Sequence, residues 1–159
     1  NAKHFGLPQN RERIFIVGFK NNVNFQFPKA PETPTRLGNI LQKRAARKYT
    51  ISDKLWEGAQ KRKEKHLANG FGFGHSLFDR DALYTSTISA RYYKDGSEIL
   101  IKQKNKNPRK LTPLEASRLQ GFPEGFIIPV SDSQSYKQFG NAVPVSVIRA
   151  VARQMVKHF

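Results

Sequence analysis

The sequence contains no cysteine. It therefore has no disulfide, no zinc–thiolate centre and no cysteine nucleophile of its own. Acidic residues are scarce: 12 Asp and Glu stand against 28 Lys and Arg, a net charge of +16. Such an excess favours a polyanionic partner, either nucleic acid or an anionic membrane surface. Long apolar runs are missing too. Nothing approaches the length of a membrane span and no signal-peptide pattern opens the chain, so no membrane insertion and a cytoplasmic location are expected. The four histidines (His4, His66, His75, His158) lack ligand-like spacing, and no metal is assigned to them. Position 1 is Asn rather than Met, which leads us to expect a piece of a longer protein. Internal repeats and low-complexity tracts are absent.

What is present suits a globular protein of 159 residues, with 38% hydrophobic and 25% charged residues, enough for one core or two small ones. The positive charge is clumped. From Lys43 to His66 there are nine Lys and Arg against three acids, and from Ile101 to Lys110 five against none. A generic RNA-binding protein would share this feature, so charge alone names no function.

Along the chain, the apolar run Ile14 to Val17 inside Glu12–Phe19 reads as a strand of a parallel sheet. The proline-containing stretch from Phe27 to Gly38 reads as a linker. Ser52 to Ala68 reads as a very basic helix. Gly70, Gly72 and Gly74 alternate with Phe71 and Phe73. The alternation lacks the preceding strand of a cofactor loop and departs from an RNA-recognition signature, so it reads as a loop that lets the backbone approach DNA. Thr85–Tyr93 and Glu98–Lys102 are expected as two strands joined at Asp95-Gly96. In the last third, Thr112-Pro113-Leu114-Glu115 has the form of a capping box with proline at the first helical position, and Gly121 marks that helix's end. A short helix over Ser133–Phe139 and an amphipathic helix over Pro144–His158 follow. The latter carries Val147, Ile148, Val151 and Met155 on one stripe.

Three of these segments, in order, resemble the last three conserved motifs of the DNA cytosine-5 methyltransferases. G-L-P-Q-N-R-E-R-I-F-I-V-G (Gly6 to Gly18) is similar to that family's Gln-x-Arg-x-Arg segment. R-K-L-T-P-L-E-A-S-R-L-Q-G-F-P (Arg109 to Pro123) resembles the motif that follows its target recognition domain. S-Y-K-Q-F-G-N-A-V-P-V-S-V (Ser135 to Val147) resembles its closing Gly-Asn segment. Between them, G-F-G-F-G and T-S-T-I-S-A-R-Y-Y-K-D-G-S-E-I-L-I are similar to the recognition domains of bacterial enzymes for C-C-(A/T)-G-G and C-C-G-G sites.

The resemblance implies an α/β protein: C-terminal elements of a Rossmann-like, S-adenosylmethionine-dependent methyltransferase domain with a small, irregular, mostly β target recognition domain. Residues 1–28 would be a catalytic-domain segment and 29–108 the recognition domain. Residues 109–159 would hold the helix that organises the recognition domain and then return to the catalytic domain. The family extrudes cytosine from duplex DNA into a pocket. By resemblance Arg13 would hydrogen-bond the cytosine O2 while Arg11 and Gln9 shape that pocket. Read without the resemblance, the three are a solvated strand end with Glu12 pairing an arginine. Thr87 would touch the phosphate beside the extruded nucleotide, or be an ordinary strand residue. Arg91 could read a guanine edge and Lys94 take a phosphate, whereas the Tyr92–Tyr93 pair reads more readily as packing, with Tyr93 also a DNA-side candidate. The basic helix reads as a backbone-contacting or a solvated face. Asn141 would be the principal residue toward S-adenosylmethionine. Beside it Ala142 stands where the family often has Ser, leaving only backbone contacts.

The family's Phe-x-Gly-x-Gly, Pro-Cys and Glu-Asn-Val motifs are not in this sequence. The chain is therefore expected to act on double-stranded DNA only together with an N-terminal catalytic part or subunit, and to be inactive alone. The alternatives are a stand-alone basic nucleic-acid-binding module, for RNA or DNA, and a remnant without activity.

Overall fold

A computed structural model describes residues 1–71 and 74–159. Gly72 and Phe73, the middle of the Gly-Phe alternation, lie outside the described residues. Four helices and one small sheet make up the fold: α1 (Asp53–Ala68), β1 (Leu77–Phe78), β2 (Leu100–Gln103), β3 (Lys106–Arg109), α2 (Pro113–Leu119), α3 (Asp132–Asn141) and α4 (Val145–Met155), with short 3-10 turns between and after them. No helix is long and apolar enough to cross a membrane, among the described residues.

The helix boundaries follow local chemistry. Ser52 caps α1 by accepting from the Leu55 amide, and Ser131 caps α3 in the same way through Gln134. In α2 the expected capping box is complete, with Pro113 in the first turn, and Gly121 follows at φ +78°. At the last helix, α4 turns into a 3-10 turn over Val156–His158. It buries Val147 and Val151, but Ile148, expected on the same stripe, is 41% exposed.

Sheet order is β1-β2-β3, parallel then antiparallel. The expected strand over Thr85–Tyr93 does not form. Only Thr85 makes a bridge, to Gln9, and the chain turns from Ala90 to Asp95. The reason is that Tyr92 is drawn inward. It is fully buried, its hydroxyl donating to the Ile99 carbonyl (2.7 Å) and accepting from the Leu111 amide (2.7 Å). The hairpin tip is not Asp95-Gly96 but the Lys104-Asn105 turn joining β2 to β3, with Asn105 at φ +55°.

The expected strand Glu12–Phe19 is extended but pairs with no strand among the described residues. Its side chains alternate between a half-buried and an exposed face instead of being buried on both. Phe15 packs on Ala2, Leu7 and Val147, and Phe19 meets His158 and Phe159 at the end of the chain. Ile14 and Ile16, on the other face, are 91% and 94% exposed. A strand needs a neighbour to satisfy its amides and carbonyls, and none pairs with it among the described residues.

The main core joins residues far apart in the chain. Leu37, Ile88, Tyr92, Ile99 and Ile101 pack with Leu111, Ala116, Leu119, Tyr136 and Phe139. The stretch expected to recognise DNA is thus built on α2 and α3 and shares their core.

Candidate functional site

The segment Gln9–Asn10–Arg11 and the segment Thr85–Ile88 lie side by side. The Thr85 amide donates to the Pro8 carbonyl (2.9 Å), and the Asn10 amide donates to the Thr85 carbonyl (2.8 Å). The buried Gln9 carboxamide accepts from the Ile88 amide (3.0 Å) and donates to the Leu119 carbonyl (3.3 Å). Arg11, also buried, donates through Nη1 to the Ile88 carbonyl (2.8 Å) and through Nη2 to the carbonyls of Gly140 (2.8 Å) and Ala142 (2.9 Å). Both polar groups of one peptide unit pair are thereby held: Gln9 takes the N–H of Ile88 and Arg11 its C=O. Burial, aided by the neighbouring Arg13 charge, lowers the Arg11 guanidinium to about 10, so it remains a cation at neutral pH.

Close approach at this junction depends on Gly140. A Cβ there would lie 2.3 Å from the Ser89 carbonyl carbon and oxygen and 2.4 Å from the Ala90 nitrogen. Glycine lets α3 seat directly on the 88–90 backbone.

Of the three alternating polar residues, two face inward and one outward. Arg13 is exposed, and its guanidinium donates to the carbonyl of its own neighbour, Glu12 (2.5 Å). It is the member free to meet a ligand, while Gln9 and Arg11 are occupied with backbone. Thr87 Oγ1 donates to the Asn10 carbonyl (2.6 Å). The hydroxyl proton is therefore engaged, and donation to a phosphate requires it to rotate away. Thr87 also opens onto a cleft of about 370 Å³, lined by Lys63 of α1, Gly74, His75, Ser76, Ser86 and Glu98. Arg91 and Lys94 are exposed beside it in sequence, and Tyr93 is half-buried with the Lys137 ammonium 4.8 Å from its ring centre. Asn141 ends α3 with its side chain exposed, whereas the Ala142 carbonyl is already taken by Arg11.

Two features escape the sequence reading. Lys137 joins the cationic candidates because α3 folds against the 85–95 segment, where α1 also brings Lys63 of the basic helix. That seating of α1 includes an ion pair from Arg62 to Asp95 (3.1 Å). Glu115 is more than a capping residue. Fully buried, it accepts from both Nη atoms of Arg109 (2.7 and 2.9 Å) and from the amides of Thr112 (2.9 Å) and Gln42 (2.8 Å). No sequence pattern announces the Gln42 contact, which comes from 73 residues away. Chemically, the arrangement offers exposed cations and rigidly held backbone, and the sequence supplies no cysteine thiolate.

The fold is that of a methyltransferase. The structure matches that of the Entamoeba histolytica methyltransferase EhMeth with a TM-score of 0.71 at 22% identity, over 97% of this chain and 50% of that one. The sequence model of the C-5 cytosine-specific DNA methylases matches residues 1–157, and the chain belongs to that family. It is 62% identical over 161 residues to the type II methyltransferase M1.ScrFI of Lactococcus lactis subsp. cremoris, and 62% identical over 155 residues to M.NlaX of Neisseria lactamica. These alignments take in 98% and 97% of this chain but 41% and 50% of the two relatives, so the chain spans about half their length or less.

Proposed function

We propose that the chain is the C-terminal, DNA-recognising part of a DNA (cytosine-5) methyltransferase that acts on double-stranded DNA in the cytoplasm. The observation that carries the proposal is the clamp of Gln9 and Arg11 on Ile88. It ties the segment bearing Arg13 to the segment bearing Thr87 and Arg91, so base-holding and DNA-contacting groups keep a fixed spacing. Residues 1–28 and 109–159 belong, on this reading, to the catalytic domain and its link to the recognition domain, with 29–108 as the recognition domain.

Arg13 donates to the O2 of an extruded cytosine, where a fixed, always-charged fork suits the developing negative charge on the ring. Gln9 and Arg11 are positioning residues. Thr87 and Lys94 take phosphates; Arg91, steadied at its amide by Ser89 Oγ (3.1 Å), faces the base edges, and Tyr93 lies beneath Lys137. S-adenosylmethionine supplies the methyl group when bound to the complete enzyme. The donors here fit one wall of its pocket only: the exposed Asn141 carboxamide beside the Ala142 backbone, whose carbonyl is spent on Arg11. The nucleophile and the rest of that pocket belong to an N-terminal catalytic part, since this sequence has no cysteine. Ile14 and Ile16 form the apolar face on which that part's sheet seats.

The test is methyl transfer from labelled S-adenosylmethionine to duplex DNA, by the chain alone and by the chain with its catalytic part. Transfer is expected only in the second case. In the complete enzyme, Arg13→Ala should lose at least a hundredfold in turnover while keeping duplex affinity within a few-fold. Normal turnover in that variant removes Arg13 from the base pocket.

A further inference from the structure

At the end of β2 remote from the Thr87 cleft lies a second open cleft, of about 430 Å³, whose lining includes Lys43, Arg44, Arg80, Lys102, Lys104 and Lys106. Among the described residues only Lys102 of these six has a carboxylate within ion-pair distance, Asp79 at 3.5 Å. A seventh cation of the lining, Arg109, is buried and neutralised by Glu115, so it does not contribute. Gathering five uncompensated cations around one concavity is electrostatically unfavourable, and folding does not require it. All six are exposed, yet the hairpin that bears Lys102, Lys104 and Lys106 is braced: Gln103 donates to the Asn107 carbonyl (2.7 Å) and to Thr50 Oγ1 (3.0 Å).

The distance to the candidate site sets what this cleft can touch. The Leu100 amide donates to the carbonyl of Ser76 (2.9 Å), a residue lining the Thr87 cleft. Lys104 lies four residues further along an extended chain, roughly 13 Å away. Phosphates on one DNA strand recur about every 3.4 Å along the helix axis, so the offset corresponds to about four base pairs.

We infer that this cleft is a second DNA-contact surface that holds the phosphate backbone of duplex flanking the target sequence. It rests on the reading that the Thr87 cleft faces target DNA. Lysines suit it because point charges on flexible stems follow a backbone without reading bases.

The test uses the chain together with its catalytic part and two labelled duplexes that share a methylatable site, one with about two flanking base pairs on each side and one with about twelve. Binding is followed against salt concentration for the triple variant Lys102→Gln, Lys104→Gln, Lys106→Gln. On the long duplex the slope of log affinity against log salt should fall by about 2.7, at roughly 0.9 per phosphate contact, with at least a tenfold loss of affinity at moderate salt. The short duplex should bind as before and the methylated sequence should not change. Replacing the same three lysines by arginine should restore the slope. An unchanged slope on the long duplex makes the cleft a solvated face and overturns the inference. An equal loss on both duplexes, or an altered methylated sequence, also overturns it by making these lysines part of target recognition. A wild-type protein that binds duplex but never methylates it sinks the methyltransferase reading instead, while the lysine dependence still decides this one.

Discussion

Glu115 shows how much a single side chain can carry here. Its two oxygens receive four hydrogen bonds, two from the Arg109 guanidinium and two from backbone amides, with no solvent access. Removing one partner of a buried pair leaves an uncompensated charge, which costs about 3–5 kcal/mol. Glu115→Ala should therefore lower unfolding free energy by that order, read from the urea midpoint at constant slope. Adding Arg109→Met should not recover it in full, because the Thr112 and Gln42 amides stay unsatisfied; full recovery would show that the ion pair alone mattered. Tyr92 makes the same point with a neutral group. Burial pushes its phenol well above the ordinary value, so it stays protonated and bridges Ile99 to Leu111 as both donor and acceptor.

At the scale of elements, α3 and α1 are seated by different physics. The contact of α3 with residues 88–90 is steric. Gly140→Ala drives a Cβ into backbone that has no side chain to yield, and a loss of about 1–3 kcal/mol or more is expected. The complete enzyme should lose turnover in parallel, since Arg11 shares the Gly140 carbonyl. A melting temperature within a degree of wild type would refute the packing. Helix α1 fully buries only Ala59, with Trp56, Lys63 and His66 half-buried, and is attached by polar contacts and by the Trp56–His75 ring contact. Among them, Asp95 feels burial, which alone would raise its carboxyl. Hydrogen bonds from Ser97 and the Arg62 charge outweigh that and hold it below the ordinary carboxylate value. A depressed carboxylate contributes stability above its unfolded value and loses it as pH falls through the folded one. Proton uptake should therefore loosen α1 below about pH 4. Hydrogen exchange of α1 amides should rise in that acid range, and Asp95→Asn should have faster exchange already at neutral pH with a flatter acid response.

For the whole molecule, the informative surface is the one left uncovered. Ile14 and Ile16 stand almost fully exposed on an extended segment whose other face is packed on α4 through Phe15 and on the chain end through Phe19. Substituting exposed residues changes stability by no more than about 0.5 kcal/mol. Ile14→Lys with Ile16→Lys should thus leave the isolated chain's melting temperature unchanged and abolish its assembly with the catalytic part. Co-purification of the variant at wild-type yield would show that this face is not the junction.

The sequence by itself determined whatever depends on neighbours a few residues apart. The Thr112–Glu115 capping box and the turn at Gly121 are local, and helix ends obey local rules. The order of three long segments and the absence of cysteine likewise carried the family and the missing nucleophile. Tertiary structure alone decided which polar residues are free to act. Gln9, Arg11 and Arg13 look equivalent at period two, yet Arg11 finds its carbonyls 77, 129 and 131 residues away and is consumed by them, leaving Arg13 outward. It also undid the strand expected over Thr85–Tyr93, because burying Tyr92 against Ile99 and Leu111 outweighs the local β preference of a Thr-, Ile- and Tyr-containing run. Contacts of that range follow from where the core closes, and no spacing in the sequence encodes them.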